Sequence, residues 1–260
     1  MGFGDKMAHP LFTCVVPVKG PRPYFEVAME SLRSQGMGDD LEIIVQDGDI
    51  EPDAGQSDAL NRGFAKARGE WLFWLNADDV LLPGALKAVR ALIDRKGDAV
   101  QWIAGNLVYL DPDGRVMRCT RERGARRWYE GLPVRVFGPS SFFRRELFAR
   151  CGPLDTSLRY CMDTDLWNRF RAAGAWYVKL PRYVWGFRRH GGSKTSGALA
   201  GEVPDAMRRE RAVVNGRAGV RTGGVRTGLL RIVRLADGST ARSVADTLRW
   251  RGRDWKAVRG

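Results

Sequence analysis

Three largely apolar runs divide the first hundred residues into regular elements. Leu11–Val16, Leu41–Val45 and Trp71–Leu75 have the length and composition of buried strands. Between and after them, apolar residues recur every three or four positions, which is the spacing of an amphipathic helix. The helical segments are Tyr24–Gln35, Gln56–Arg68 and Leu82–Lys96. This alternation of strand and helix predicts an α/β domain built on a doubly wound parallel sheet.

The second half of the chain has a less regular pattern. Two strand-like segments, Gln101–Leu110 and Arg115–Cys119, flank the turn sequence Asp111-Pro112-Asp113-Gly114, which predicts a hairpin. Further along we expect a strand over Val134–Phe143, a short helix over Arg144–Arg150, a helix over Asp163–Ala173, a strand over Trp176–Leu180, a flexible linker over Gly216–Gly228 and a short basic helix within Ser243–Arg259.

The positive charge of the chain is concentrated near its end. The 260 residues carry a net charge of +13, and residues 205–260 hold 14 Lys/Arg against 5 Asp/Glu. Such an excess attracts nucleic acid or anionic lipid, or it forms a solvated tail. Because no recognised nucleic-acid motif accompanies it, no nucleic-acid partner is expected.

Two tryptophans lie among these C-terminal basic residues. Trp250 and Trp255 are surrounded by Arg249, Arg251, Arg253, Lys256 and Arg259. The arrangement suits an anionic bilayer surface, where tryptophan favours the interface and arginine the headgroups. The alternative is that both tryptophans pack back on the domain.

Cellular location is also indicated by composition. No apolar run is long enough to cross a bilayer, and the first ten residues contain no apolar segment of signal-peptide type. The cysteines Cys14, Cys119, Cys151 and Cys161 lack metal-ligand spacing. We therefore expect reduced thiols, with Cys14 filling the core, and a cytoplasmic protein that can attach peripherally at the inner face of the cell membrane.

Polar side chains follow the third predicted strand directly. Asn76, Asp78 and Asp79 come immediately after Trp71–Leu75. Clustered carboxylates at the end of a buried strand are costly unless a cation neutralises them, and Mg²⁺ or Mn²⁺ commonly bridges a carboxylate to a diphosphate. The pattern predicts a metal–diphosphate site at the carboxyl edge of the sheet, although a strand-end turn capped by acids would look similar.

An ordered set of motifs from about Phe12 to Lys194 resembles family 2 glycosyltransferases, of the kind found in bacterial polysaccharide biosynthesis. The motifs are Val15-Val16-Pro17-Val18, Glu42-Ile43-Ile44-Val45-Gln46-Asp47-Gly48, Gly55-Gln56-Ser57-Asp58-Ala59-Leu60-Asn61, Leu75-Asn76-Ala77-Asp78-Asp79, Phe142-Phe143-Arg144-Arg145, Met162-Asp163-Thr164-Asp165 and His190-Gly191-Gly192-Ser193-Lys194. The resemblance implies the Rossmann-like GT-A fold: one α/β domain with a mixed central sheet over residues 8–200, followed by a basic, partly flexible extension over 201–260.

The resemblance also implies roles for individual residues. Asp163 would be the catalytic base, and Asp78, Asp79 and His190 would hold the metal. The donor-binding residues would be Pro17, Val18, Asp47, Gly48, Asp58, Asn61, Asn76, Ala77 and Lys194. Structural alternatives remain for five of these: Asp47 as a turn acid, Asp58 and Asn61 as helix caps, Asp163 as an acid favoured by a helix N-terminus, and His190 as an exposed loop residue.

The implied activity is inverting transfer of a sugar from a nucleotide-sugar donor, with a UDP-sugar favoured. The implied cofactor is a divalent metal, Mn²⁺ or Mg²⁺, and the implied acceptor is a glycan or lipid-linked saccharide. Two rival interpretations are a nucleotidyltransferase of similar α/β fold and a non-enzymatic basic nucleic-acid-binding protein. The first lacks the Gly-rich phosphate loop expected near the first strand, and the second lacks a binding motif.

Overall fold

The computed structural model describes residues 9–122, 136–192, 204–220 and 236–259. The strands in this part of the chain are β1 (Phe12–Val18), β2 (Leu41–Asp47), β3 (Trp71–Trp74), β4 (Val80–Leu81), β5 (Trp102–Leu110), β6 (Val116–Thr120), β7 (Ser141–Arg144) and β8 (Val178–Arg188). The helices are α1 (Phe25–Arg33), α2 (Gln56–Lys66), α3 (Ala85–Lys96), α4 (Arg145–Cys151), α5 (Met162–Ala172), α6 (Asp205–Arg217) and α7 (Ser239–Trp250).

The central sheet is mixed, as the resemblance to the GT-A fold implies. Its strand order is β2-β1-β3-β7-β5-β8-β4, with β6 paired to β5. The first three strands are parallel to one another, as the alternating pattern predicts. The wholly parallel sheet is wrong for the second half, where β7 runs antiparallel to both β3 and β5 and a β5–β6 hairpin forms. Of the predicted strand over Val134–Phe143, residues 134–135 lie outside the described residues, Gly138–Ser140 form a 3₁₀ turn, and β7 follows this turn.

The sheet is covered by helices on both faces. Successive side chains of a strand point to opposite faces, and β1 shows this clearly. Cys14 and Val16 pack with residues of α1 and α3, whereas Val15 packs with residues of α2 and α5. Gly63 lets α2 approach β1 closely, since a Cβ there would lie 2.4 Å from a Val15 methyl carbon. The prediction that Cys14 fills the core is confirmed, and all four cysteines are unpaired.

The described residues beyond 200 pack against the domain. Glu210 of α6 accepts the backbone N–H groups of Tyr160 and Cys161 at 2.7 and 3.0 Å. Helix α7 lies on β6, where Thr247 accepts the Cys119 N–H at 2.9 Å. The predicted linker overlaps the end of α6, and its residues from 221 onward lie outside the described residues. The domain boundary at residue 200 stays a prediction.

Trp250 and Trp255 do not face solvent, so they cannot be the bilayer anchors that the sequence suggested. Their exposed fractions are 6% and 5%, and they pack with Val80, Val108 and Val116. Arg249 and Arg253 lie over the Trp250 ring. The basic residues therefore cover the tryptophans at the edge of the core. No described helix is both long and apolar enough to span a bilayer.

We expect Trp255→Ala to destabilise the protein by about 3–5 kcal/mol, since it removes a buried indole and leaves a cavity. The matched control is Leu248→Ala on α7, because Leu248 is 76% exposed and its loss should change stability by less than about 0.5 kcal/mol. Denaturant unfolding measures both variants. Equal effects of the two substitutions would contradict the packing of the C-terminal segment on the domain.

Candidate functional site

The carboxyl ends of β1, β2 and β3 meet at one edge of the sheet. Val18 is in register with Asp47, and the Gly48 N–H donates to the Val18 carbonyl at 2.8 Å. The chain leaving β3 stays beside β1, because the Leu75 N–H donates to the Val15 carbonyl at 3.1 Å. Residues 76–79 follow directly. The structure thus brings Pro17, Val18, Asp47, Gly48 and the 76–79 segment, which includes Ala77, to the same edge.

Asn76 joins the end of β3 to the start of α2. Its Oδ1 accepts a hydrogen bond from Gln56 Nε2 at 2.8 Å, and its Nδ2 donates to Asp79 Oδ2 at 2.8 Å. An amide can serve both partners because it carries a donor and an acceptor, whereas a carboxylate here would face Asp79 with like charge.

Asp79 lies wholly buried beneath this edge. Its Oδ1 accepts the Arg188 N–H at 3.0 Å, while its Oδ2 accepts from Asn76. Desolvation, followed by the charge of Asp78, raises the pKa of Asp79 well above its ordinary value. Since both oxygens are engaged and neither reaches solvent, the placement favours a supporting role for Asp79 over direct metal ligation.

Asp78 and His190 form the accessible pair of the cluster. Asp78 Oδ2 lies 2.9 Å from His190 Nε2, and the Asp78 side chain is 33% exposed. The imidazole also accepts the Gly192 N–H at Nδ1 and packs on Tyr24, with ring centroids 5.1 Å apart. Because Nδ1 accepts this hydrogen bond, the neutral imidazole carries its proton on Nε2 and donates it to Asp78, so a divalent cation held by both side chains would replace this proton.

The described residues do not complete a metal site by themselves. No group of three or more His, Cys, Asp and Glu side chains within them converges to hold an ion. Asp79, the third predicted ligand, is turned inward as described above. A metal held by Asp78 and His190 therefore needs further ligands from a bound diphosphate and water, which is the way Mg²⁺ commonly binds.

Arg188 is a site residue that the sequence interpretation missed. Only 3% of it is exposed, its Nε donates to the Asp78 carbonyl at 3.0 Å, and its guanidinium lies 4.6 Å from the centre of the Tyr24 ring. The Arg188 N–H also bonds the Asp79 carboxylate at 3.0 Å, so this residue fixes the positions of both aspartates. The sequence feature that could have identified Arg188 is its position just before the His190 motif, at the end of β8.

Asp47 has a basic partner that the sequence did not identify. Arg22 Nη1 donates to Asp47 Oδ2 at 2.6 Å, and Arg22 Nη2 donates to Asp49 Oδ2 at 3.0 Å. The bond from Arg22 is the main reason that the pKa of Asp47 is lowered. Asp47 also accepts the Asp49 N–H at 3.0 Å, so it closes the turn after β2. At Gly48 a side chain would displace the Asp53 carboxylate, because a Cβ would lie 2.1 Å from an Asp53 oxygen.

The two predicted donor residues in α2 have structural partners. Asp58, in the first turn, accepts the Ala54 N–H at 3.0 Å and pairs with Arg62 at 2.9 Å, so it holds the chain that enters the helix. Asn61 neither caps the helix nor reaches the strand-end cluster. Its amide donates to the Leu154 carbonyl at 2.9 Å and accepts the Leu154 N–H at 2.8 Å, so it ties α2 to the loop at residue 154, and its donor-binding assignment stays a prediction.

Asp163 lies in the first turn of α5, next to the 3₁₀ turn at Gly138–Ser140. Its Oδ2 accepts the Gly138 N–H at 3.2 Å, and its Oδ1 accepts the Thr164 N–H at 2.6 Å. Desolvation outweighs these bonds and raises the pKa of Asp163. Gly138 itself lies against Trp74 at the end of β3, where a Cβ would be 1.9 Å from the indole. These contacts link Asp163 to the strand that delivers Asn76 and Asp78.

A second connection runs through the start of α2. Ser57 Oγ lies 2.9 Å from Met162 Sδ, one residue before Asp163, while the neighbouring Gln56 bonds Asn76. The starts of α2 and α5 and the end of β3 therefore form one contiguous set of contacts. Lys194, the remaining predicted donor residue, lies outside the described residues.

Comparisons with known proteins agree with this architecture. The sequence profile of Glycosyl transferase family 2 matches residues 49–152. The PGL/p-HBAD biosynthesis glycosyltransferase of Mycobacterium bovis BCG is 30% identical over 190 residues, covering 61% of this chain and 69% of that protein. An uncharacterized glycosyltransferase of Rickettsia typhi is 24% identical over 196 residues, and the match spans 65% of this chain and 61% of that relative.

Solved structures show the same fold. A fragment of S. aureus TarS in complex with UDP-GlcNAc superposes with a TM-score of 0.56 at 14% identity, covering 71% of this chain and 60% of that fragment. The mannosyltransferase PcManGT of Pyrobaculum calidifontis, in complex with GDP-Man and Mn²⁺, gives a TM-score of 0.53 at 17% identity, covering 92% of this chain and 84% of that one. At these identities the likeness establishes the GT-A fold.

Proposed function

The chain belongs to glycosyltransferase family 2, and on that basis we propose that it transfers one sugar from a nucleotide-sugar donor to a hydroxyl group of its acceptor, with inversion at the anomeric carbon. The observation that carries the proposal is the contact chain from Asp78 and Asn76, through Trp74 and Gly138, to Asp163. It joins a strand-end site suited to a diphosphate to a carboxylate suited to proton acceptance.

The nucleoside end of the donor would lie beside β1 and β2. Pro17, Val18 and Asp47 lie at their carboxyl ends, where open α/β sheets bind ligands. Arg22 holds the Asp47 carboxylate in one orientation, so its hydrogen-bonding geometry is set before a donor arrives. A UDP-sugar is the donor that we propose first. Support comes from TarS, whose structure contains UDP-GlcNAc, although PcManGT contains GDP-Man.

Asp78 and His190 would hold a divalent metal against the donor diphosphate. Such an ion supplies charge stabilisation to the departing nucleoside diphosphate. Arg188 would hold the Asp78 backbone in place, and Asn76 would hold the Asp79 carboxylate. The support is the partly exposed Asp78 carboxylate beside His190 at this sheet edge and the Mn²⁺ in the PcManGT complex.

Asp163 would act as the base. It would accept the proton of the acceptor hydroxyl while that oxygen bonds the anomeric carbon and the bond to the diphosphate oxygen breaks. Its raised pKa suits this role, because a more basic carboxylate accepts a proton more readily. The Gly138 and Thr164 N–H groups would orient the carboxylate.

The acceptor would approach over the residues around Gly138. Phe137, one residue before Gly138, is 39% exposed, and its ring rests on Trp185 with centroids 6.1 Å apart. An exposed aromatic ring held on a second ring is a suitable platform for the apolar face of a sugar. We propose a glycan or lipid-linked saccharide as the acceptor class.

The proposed function is tested with a panel of UDP- and GDP-sugars, with and without Mn²⁺. We expect at least one donor to raise the melting temperature in the presence of Mn²⁺ and to release nucleoside diphosphate. The matching free nucleosides serve as controls, since they lack the diphosphate. A panel in which no donor stabilises the protein and none is turned over would refute the proposal.

A further inference from the structure

Helix α7 exposes apolar side chains although its tryptophan is buried. Val244 and Leu248, four residues apart and hence on one face, are 56% and 76% exposed. Ala241 and Ala245 are exposed beside them. The opposite face, which includes Ser243 and Trp250, packs against the domain. The outer face of α7 therefore presents an apolar stripe to solvent.

Basic residues border this stripe. Arg242 and Arg249, seven residues apart, are exposed on the same helix, and Arg251, Arg253 and Lys256 follow it. The acids of the region are fewer. Residues 236–259 carry six Lys/Arg against Asp237, Asp246 and Asp254, and Asp246 is paired with Arg121. The surface around the stripe is thus net positive.

We propose that the outer face of α7 docks on an anionic lipid bilayer. Helices that lie in the membrane interface combine an apolar face with flanking Lys or Arg, whose aliphatic stems follow the apolar surface while the charges reach lipid phosphates. Val244 and Leu248 would enter the headgroup boundary, and Arg242 and Arg249 would contact the headgroups.

The composition of the face favours lipid over other partners. Single-stranded nucleic acid is held by exposed aromatic rings, but the aromatic residues here are buried and the exposed ones are aliphatic. A second copy of this chain would place the same arginines opposite each other across a two-fold axis. An anionic bilayer matches both the charge and the aliphatic surface.

The segment that follows α7 is connected to the candidate site by a short series of hydrogen bonds. The Trp255 N–H donates to the Gly114 carbonyl at 3.0 Å, and Arg188 Nη1 donates to the Pro112 carbonyl in the same turn at 2.8 Å. If the proposed function holds, a membrane-bound α7 keeps the site near lipid-linked acceptors. The docking itself does not depend on that function.

The test is co-sedimentation of the full chain with vesicles of phosphatidylcholine alone or mixed with phosphatidylglycerol, at low and high salt. We expect the wild type to bind the mixed vesicles, and V244S/L248S to bind roughly tenfold more weakly because two apolar side chains are lost. R242Q/R249Q should lose most of its binding at low salt. Val213→Ser is the matched control, since Val213 is 50% exposed on α6, and it should bind like the wild type.

Three results would overturn the proposal. The first is a wild type that does not bind mixed vesicles at low salt. The second is a V244S/L248S variant, with unchanged melting temperature, that binds as well as the wild type or the Val213→Ser control. The third is light scattering that shows a dimer in the wild type and a monomer in V244S/L248S, which would assign the face to a second copy.

Discussion

Asp163→Asn should lower turnover by about two to four orders of magnitude while donor binding survives. The amide has nearly the shape of the carboxylate but cannot accept the acceptor's proton. Donor binding is expected to persist because the groups proposed to hold the donor lie at the ends of β1, β2 and β3. Steady-state release of nucleoside diphosphate and the donor-induced thermal shift measure the two properties separately.

The control for this variant is Asp165→Asn in the same helical turn. Asp165 accepts from Arg169 Nε at 2.9 Å, so its substitution makes the same chemical change at a carboxylate with a structural partner. We expect a lower melting temperature but turnover per folded molecule near that of the wild type. If Asp163→Asn instead retained turnover within a few-fold of wild type, another group would be the base.

The pH dependence of turnover tests the role of Asp163 independently. A base works in its ionised form, so turnover should fall as the pH drops through the pKa of Asp163. Burial raises that pKa above the ordinary value of 3.8, so the acidic limb of the profile should lie above pH 3.8. The residual activity of Asp163→Asn should lack this limb.

Asp78→Asn should abolish the metal-dependent part of donor binding with little loss of fold. A neutral amide is a weak ligand for a divalent cation, yet it can still hydrogen-bond His190. In the wild type, UDP plus Mn²⁺ at a hundredfold excess over Kd should stabilise the folded state by about 2.7 kcal/mol, and this gain should vanish in the variant. Thermal melts with UDP, with and without Mn²⁺, measure it.

Asp113→Asn is the control for that change, because Asp113 is an exposed acid in the 111–114 turn. It should keep the full UDP and Mn²⁺ response. An unchanged response in Asp78→Asn would mean that Asp78 does not hold the metal. Loss of the response in His190→Ala as well would support the pair as joint ligands.

Much of the first half of the fold could be predicted from local pattern. The apolar runs of β1, β2 and β3 and the helical spacing of α1, α2 and α3 are properties of contiguous residues, and their parallel pairing follows from the alternation. The hairpin at the 111–114 turn was predicted for the same reason. The antiparallel insertion of β7 between β3 and β5 could not be predicted, since strand order depends on contacts between distant segments.

The candidate site also combines residues that could be predicted from sequence with residues that could not. Sequence alone placed Asp47, Asp78 and Asp163 at the ends of strands or the start of a helix, because those positions follow from where each element begins and ends. Their partners came only from tertiary structure. Arg22, Arg188 and Gly138 are separated along the chain from the carboxylates that they contact, so no spacing rule identifies them.

Sequence by itself determined the family, the class of fold and the edge of the sheet where the acids gather. Tertiary structure decided which of these side chains are available to a ligand. Asp78 and Asp79 are adjacent in sequence, yet one is partly exposed and the other wholly buried. The two tryptophans among the arginines suited a bilayer and a core edge equally, since an indole has an apolar body and a polar tip. They are buried because they pack against Val116 and Cys119 of β6. Val244 and Leu248 remain exposed to solvent.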